Sequence, residues 1–240
     1  MKRKIFFGVY KLKNIIINSL IVLLLAVIAT VAFVGGNDAV VTNTVNGAYY
    51  SGSRASNNVS LMVNVYWGEE YLDDMLKIME EKGVKSTFFI GGMWMLENEE
   101  MVKKINDAGH EIANHGYKHK DQDKLSEEDA KNEIMTTHNL VQKMLKKEMN
   151  LFAPPSGAYN AESVKIAESL GYKTIMWTRD TIDWRDHNTE LIYKRATDKL
   201  QGGDLILMHP TQNTVEALSK IIDYAQNKGF KVTTVSDCIG

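Results

Sequence analysis

The chain has almost no cysteine: Cys238, beside the C-terminus, is the only one in 240 residues. A single thiol excludes an intrachain disulfide, so no covalent staple holds the fold and cysteine usage is silent on compartment. Phosphate-cradling loops are missing too. No G-x-x-x-x-G-K-[ST] or G-x-G-x-x-G follows any candidate strand, which leaves nucleotide binding without support. No internal repeat is visible. Basic charge is scarce beyond the N-terminus. Lys2, Arg3, Lys4, Lys11 and Lys13 are the only charges before Asp38, and removing them from the net of −2 leaves −7. An acidic domain of this kind is a poor partner for nucleic acid, where a basic patch is expected.

What is present begins with an apolar run. Residues Ile15 to Val34 form 20 positions without charge, interrupted only by Asn18, Ser19 and Thr30. That length just spans a bilayer core of about 30 Å. The basic flank precedes it, so the positive-inside rule keeps the N-terminus in the cytoplasm. Residues 1–36 are therefore expected to be a basic N-terminus and membrane anchor, with the rest of the chain outside the cell membrane. The alternative is a signal segment, cut near Ala29, Ala32 or Ala39, that releases a secreted protein. Residues 37–58, rich in Gly, Asn, Ser and Thr, read as a linker. Residues 59–240 are of catalytic-domain size.

In that domain short β-branched or aromatic runs alternate with longer amphipathic ones. Strands are expected at Ser60–Val65, Ser86–Ile90, Glu111–Asn114, Asn150–Ala153, Lys173–Trp177, Asp204–Met208 and Lys231–Val235. Helices are expected at Glu70–Lys82, Met95–Ala108, Ser126–Lys147, Ala161–Leu170, Thr189–Leu200 and Thr214–Asn227. Ser126, three residues before Asp129, suits an N-terminal cap. Gly83, Gly109, Gly171, Gly202 and Gly229 suit left-handed helix ends. Strands alternating with helices imply a parallel α/β sheet, either open and doubly wound or closed into a barrel.

Polar residues gather at the expected C-terminal strand ends, where α/β folds place their ligand crevice. His115 and His119 follow the third strand at a spacing of four, which lets both imidazoles reach one metal ion if the turn is helical. Alone, the spacing fits exposed or capping histidines equally well. No Glu follows His115, so the HExxH pattern fails. His209 ends an apolar strand before Pro210 and suits a general acid. Asp183 is a plausible orienting partner that fixes its tautomer. Their bland readings are a half-buried structural histidine and a loop-capping aspartate. His138, inside a polar helix, is expected to be solvated.

The order of these motifs resembles the NodB-type polysaccharide deacetylases, the fourth carbohydrate esterase family, from about Val59 to Gly240. H-G-Y-K-H at His115–His119, D-T-I-D-W at Asp180–Trp184 and L-I-L-M-H at Leu205–His209 match the family's second, fourth and fifth motifs. T-F-F-I-G-G at Thr87–Gly92 is similar to its second strand. The third motif departs: F-A-P-P-S-G has Ala153 in place of the family's Arg and Ser156 in place of its aromatic. The first departs further. V-N-V-Y-W-G at Val63–Gly68 puts either Asn64 and Val65, or Tyr66 and Trp67, where two aspartates should stand. W-G-E-E is similar to a sporulation-associated branch.

The resemblance implies a distorted (β/α)7 TIM-like barrel and hydrolysis of N-acetyl groups on peptidoglycan or a similar glycan. It also implies a divalent metal, zinc by family habit, on His115 and His119, with His209 as acid and Asp183 behind it. Pro155 and Trp184 would touch the glycan, and Trp67 and Trp94 are further candidates to stack on sugar. Because Asn64 cannot accept a proton at neutral pH, turnover is expected to be weak or absent unless Glu69 or Glu70 swings in. The remaining readings are a silent glycan binder or a membrane-tethered scaffold.

Overall fold

The computed structural model describes residues 17–24 and 43–240. The chain divides into two units, Met1–Ala39 and Val40–Gly240. Residues 17–24 are helical. Most of the expected anchor at 15–34 lies outside the described residues. Among the described residues no helix is long and apolar enough to cross a membrane.

The larger unit runs β1 (Asn43–Val45), β2 (Ala48–Ser51), β3 (Asn58–Val65), α1 (Glu69–Glu81), β4 (Thr87–Ile90), α2 (Gly92–Glu97), α3 (Glu99–Asp107) and β5 (Glu111–Asn114). It continues with α4 (Glu127–Leu145), β6 (Leu151–Phe152), α5 (Ala161–Ser169), β7 (Lys173–Thr174), β8 (Arg179–Asp180), α6 (Thr189–Thr197) and β9 (Leu205–Met208). It ends with α7 (Gln212–Asn227), β10 (Lys231–Thr233) and α8 (Val235–Ile239). Eight strands form one parallel sheet in the order β7-β6-β5-β4-β3-β9-β8, and β10 pairs with the start of β3 below β4.

The sheet curls into a half-barrel rather than closing into the expected ring of seven. Its edge strands β7 and β8 do not pair with each other. The segment read as one strand, Lys173–Trp177, is the reason. The chain leaves β7 after Thr174, crosses to the far edge, and pairs Arg179 and Asp180 with β9. The stretch read as a linker sits at that gap. Asn46 and Gly47, both at positive φ, turn β1 into β2 as a two-residue hairpin. Tyr49 then bridges Ile175, and Ser51 bridges Asp204. Ala48 and Ser51 are fully buried, and Arg54 Nη1 reaches Asp204 Oδ1 at 2.5 Å. Asn-Gly between extended residues is a hairpin signal that composition alone hides.

Alternation along the strands sorts two cores. Leu61, Val63 and Val65 face the helices, as do Phe88, Ile90, Ile206 and Met208. Met62, Phe89, Ala113, Ala153 and Leu205 fill the inside of the curl, with Val235 and Ile239 of α8 beside them. The expected helix at Met95–Ala108 breaks into two at Asn98, which leaves helical backbone with φ −132°. The left-handed turn expected at Gly202 falls instead on Gly203.

A candidate active-site cleft

The strand ends open into a cleft of about 380 Å³, within the range of small-molecule sites. β3 supplies its floor through Asn64 and its wall through Tyr66 and Trp67. Val65 points the other way, into the helix-facing core. The structure thereby decides between the two readings of the first motif: Val65 cannot serve the cleft, and Asn64, Tyr66 and Trp67 can. Gly68 ends this strand with φ 80°, and an added Cβ would lie 2.2 Å from Pro210 O. Only glycine lets the W-G-E-E turn pack against the chain leaving His209. Gly91 has a similar purpose, because a Cβ there would lie 2.1 Å from the Tyr66 ring.

His115 and His119 come together, with ring centroids 4.9 Å apart. His115 Nδ1 donates to Ala153 O at 2.8 Å, so its Nε2 is left as the acceptor. Burial, followed by His119 alongside, pushes the His115 ring down to about 3. His119 is lowered as well, by burial and then by His209. The loop between them hangs on Glu133, a buried carboxylate of α4 that accepts from Tyr117 N at 2.9 Å and Lys118 N at 2.7 Å.

His209 faces them from β9. Its Nδ1 donates to Asp183 Oδ1 at 2.8 Å, and its backbone N–H donates to Asp183 Oδ2 at 2.6 Å. Thr214 Oγ1 donates to the same Oδ2 at 2.6 Å. Asp183 is fully buried. With Nδ1 engaged, Nε2 is the atom left to exchange a proton.

Aromatic rings lie on the histidines. Tyr66 sits on His119 at 4.9 Å, and Trp67 stacks on His209 at 5.9 Å and 5°. Burial first, then Glu133, raises the Tyr66 phenol above its usual range, so it stays protonated at neutral pH. His119, Ser156 and Ile182 all hold left-handed backbone around the cleft. For a β-branched residue such as Ile182 that is a strained state, of the kind that gathers at functional sites.

Several expectations need correction. Pro155 is buried against Gly116, and Ser156 and Gly157 line the cleft in its stead. Trp94 is only 5 % exposed and cannot stack on a ligand, whereas Trp184 lines the cleft at 52 %. Glu69 and Glu70, by contrast, take the role favoured for them as first-turn helix charges: they open α1, exposed, and do not line the cleft. His138 is not solvated: Nδ1 bonds Tyr172 Oη at 2.6 Å and Nε2 lies 2.9 Å from Glu148. Asp180, which stands at an expected strand end, does line the cleft; residues that sequence reasoning passed over are Trp177, Thr214 and Glu133. Glu133 had a signal, since an acid between Ala130 and Thr137 interrupts the buried face of α4.

Comparison with known proteins agrees with this geometry. The sequence profile described as polysaccharide deacetylase matches residues 51–175. The uncharacterized protein YlxY of Bacillus subtilis is 37 % identical over 78 % of this chain, which spans 59 % of that protein's length. A peptidoglycan-N-acetylglucosamine deacetylase of Bacillus cereus is 31 % identical over 70 % of this chain and 82 % of its own. Among solved structures, BA3943 of Bacillus anthracis, described as a CE4 family pseudoenzyme, superposes with a TM-score of 0.78. It is 36 % identical over 81 % of this chain and 69 % of its own.

Proposed function

The chain belongs to the polysaccharide deacetylase family, and from that premise we propose that its cleft is a degenerate deacetylase site that binds a glycan of the peptidoglycan type and hydrolyses it weakly or not at all. One observation carries this reading. On the β3 side, where the family's first motif has two aspartates, aromatic rings face the histidines: Tyr66 on His119 and Trp67 on His209.

The family's divalent metal does not fit the donor set. His115 and His119 offer two imidazoles, and among the described residues no group of three His, Cys, Asp or Glu could hold an ion. Two neutral imidazoles bind a divalent ion far less well than three ligands that include a carboxylate. The general base is missing as well. Asn64 has no basic atom at neutral pH, and Tyr66 keeps its proton. General-base help is worth about 10²–10⁴ in rate, so its loss alone makes hydrolysis weak.

What survives is the proton donor. Asp183 and Thr214 hold His209 in one tautomer, ready to protonate a departing amine. This intact half supports the second reading, a slow deacetylase. Trp184 and Trp67 are half-exposed and can take the faces of sugar rings. The apolar, basic-flanked segment at 15–34 supports a membrane-anchored or secreted location for the domain, beside such a polymer.

Acetate release from N-acetylated peptidoglycan and chitooligosaccharide, with binding measured in parallel, tests the proposal. Binding with no release above a His209→Ala control is expected. Release well above that control, with about one metal per chain, would replace the silent reading with the slow-enzyme one.

A further inference from the structure

Among the described residues, the lining of the cleft is rich in aromatic faces and includes no Lys or Arg. Tyr66, Trp67, Trp177 and Trp184 supply four rings, and Asp180 is its one carboxylate. Asp180 Oδ1 accepts from Ile182 N at 2.8 Å, and its other oxygen has no partner among the described residues. Asn64, 5 % exposed and on the floor, has an Oδ1 with no hydrogen-bond partner. A buried acceptor left unpaired is destabilising, so the site favours a ligand that donates.

Resting on the glycan reading above, we infer that the cleft recognises the primary ammonium of a de-N-acetylated sugar in preference to the acetamide of an acetylated one. An ammonium brings three N–H donors and a positive charge. The donors suit Asn64 Oδ1 and Asp180, and the charge suits the ring faces. An acetamide brings one N–H and no charge, so it offers Asn64 Oδ1 and Asp180 fewer donors than an ammonium does. A divalent ion shares the charge, but aromatic rings do not ligate it. The ammonium is what acetamide hydrolysis leaves behind. The reaction that supplies this ligand is therefore N-deacetylation of the same polymer, and this chain reads its product.

The test is calorimetric titration of the full chain with a glucosamine tetramer and an N-acetylglucosamine tetramer at neutral pH, with a metal chelator present. Tetralysine controls for bare charge. The glucosamine tetramer is expected to bind about tenfold tighter than the acetylated one, a difference of about 1.4 kcal/mol. Asp180→Asn should shrink that preference at least threefold, and Trp184→Ala should weaken both. If Asp180→Asn misfolds, Asn64→Leu serves instead and should also shrink the ratio. Equal or tighter binding of the acetylated tetramer, or tetralysine binding as well as glucosamine, overturns the inference and leaves the glycan reading standing. Binding of neither tetramer overturns both.

Discussion

On the β9 side of the cleft, Asp183 is sealed from solvent, and His209 Nδ1, His209 N and Thr214 Oγ1 all donate to it. On the β3 side, Asn64 is just as deeply set yet its Oδ1 has no partner, and Tyr66 and Trp67 cover the histidines. One wall is a finished proton-transfer pair. The other keeps the backbone of a deacetylase wall with its carboxylates exchanged for rings. The difference teaches that fold and chemistry decay separately. Gly68 and Gly91 make the close approaches that shape the wall, and its cleft-facing residues are an amide and two rings.

The contrast can be broken most severely by refilling the β3 wall. Tyr66→Asp with Trp67→Asp should raise acetate release at least about 10²-fold over the natural chain when a divalent metal is supplied, because base and ligand return together. Asn64→Asp alone should give less. Val65→Asp should give nothing and cost about 3 kcal/mol in denaturant unfolding, since it buries an unpaired carboxylate among the helix-facing residues.

The β9 wall should be the costlier one to damage structurally. Asp183→Ala leaves three donors without their acceptor and is expected to lose about 3 kcal/mol. Asn64→Leu removes an orphan acceptor and should be neutral or stabilising by up to about 1 kcal/mol. Equal losses at the two sites would erase the contrast.

A smaller effect comes from the hairpin. A fragment starting at Val59 lacks β1 and β2, uncovers Val164 and Met176, and leaves Asp204 without Arg54. Its melting temperature should fall by about 5–10 °C relative to a fragment starting at Val40.

The smallest is a pH effect. The His115 ring is pushed down to about 3 and His110 to about 4, each by burial first. The unfolded chain, titrating near 6.5, binds protons before the folded one does, so their contribution is whole above about 6.5 and is lost as pH falls toward 4 and 3. Stability should decline over that window, and His110→Gln should flatten the upper part of the decline. A flat profile in the natural chain would contradict this assignment.

Much of the fold was legible because hydrophobic alternation and terminal glycines are local signals. Glu111–Asn114 falls where its pattern puts it, and Ser126 caps α4 through Asp129 N. The open edge was not legible. Whether Lys173–Trp177 stays on one strand or crosses the sheet depends on Tyr49 and Asp204, which are far away in sequence. In the site, spacing and strand-end position made His115, His119, Asp183 and His209 candidates, and the resemblance to the family's motifs singled them out. The direction of Val65 could not, because motif order alone leaves the register of the strand end open by a residue or two. The buried Pro155 shows the same limit. Its place in a motif suggested contact with a ligand, but the left-handed Ser156 turns the chain so that the next residues line the cleft.

Acetate release from N-acetylated peptidoglycan by the full-length chain with divalent metal in excess, run beside its His209→Ala variant and paired with glycan binding on the same sample, bears most directly on the silent cleft. Saturable binding with identical, background-level acetate in both proteins is the predicted result. Turnover by the natural chain that disappears in the variant would contradict it, because the base and the anionic ligand absent from the first motif would then have to come from Asp180, the carboxylate that lines the cleft, or from groups outside it.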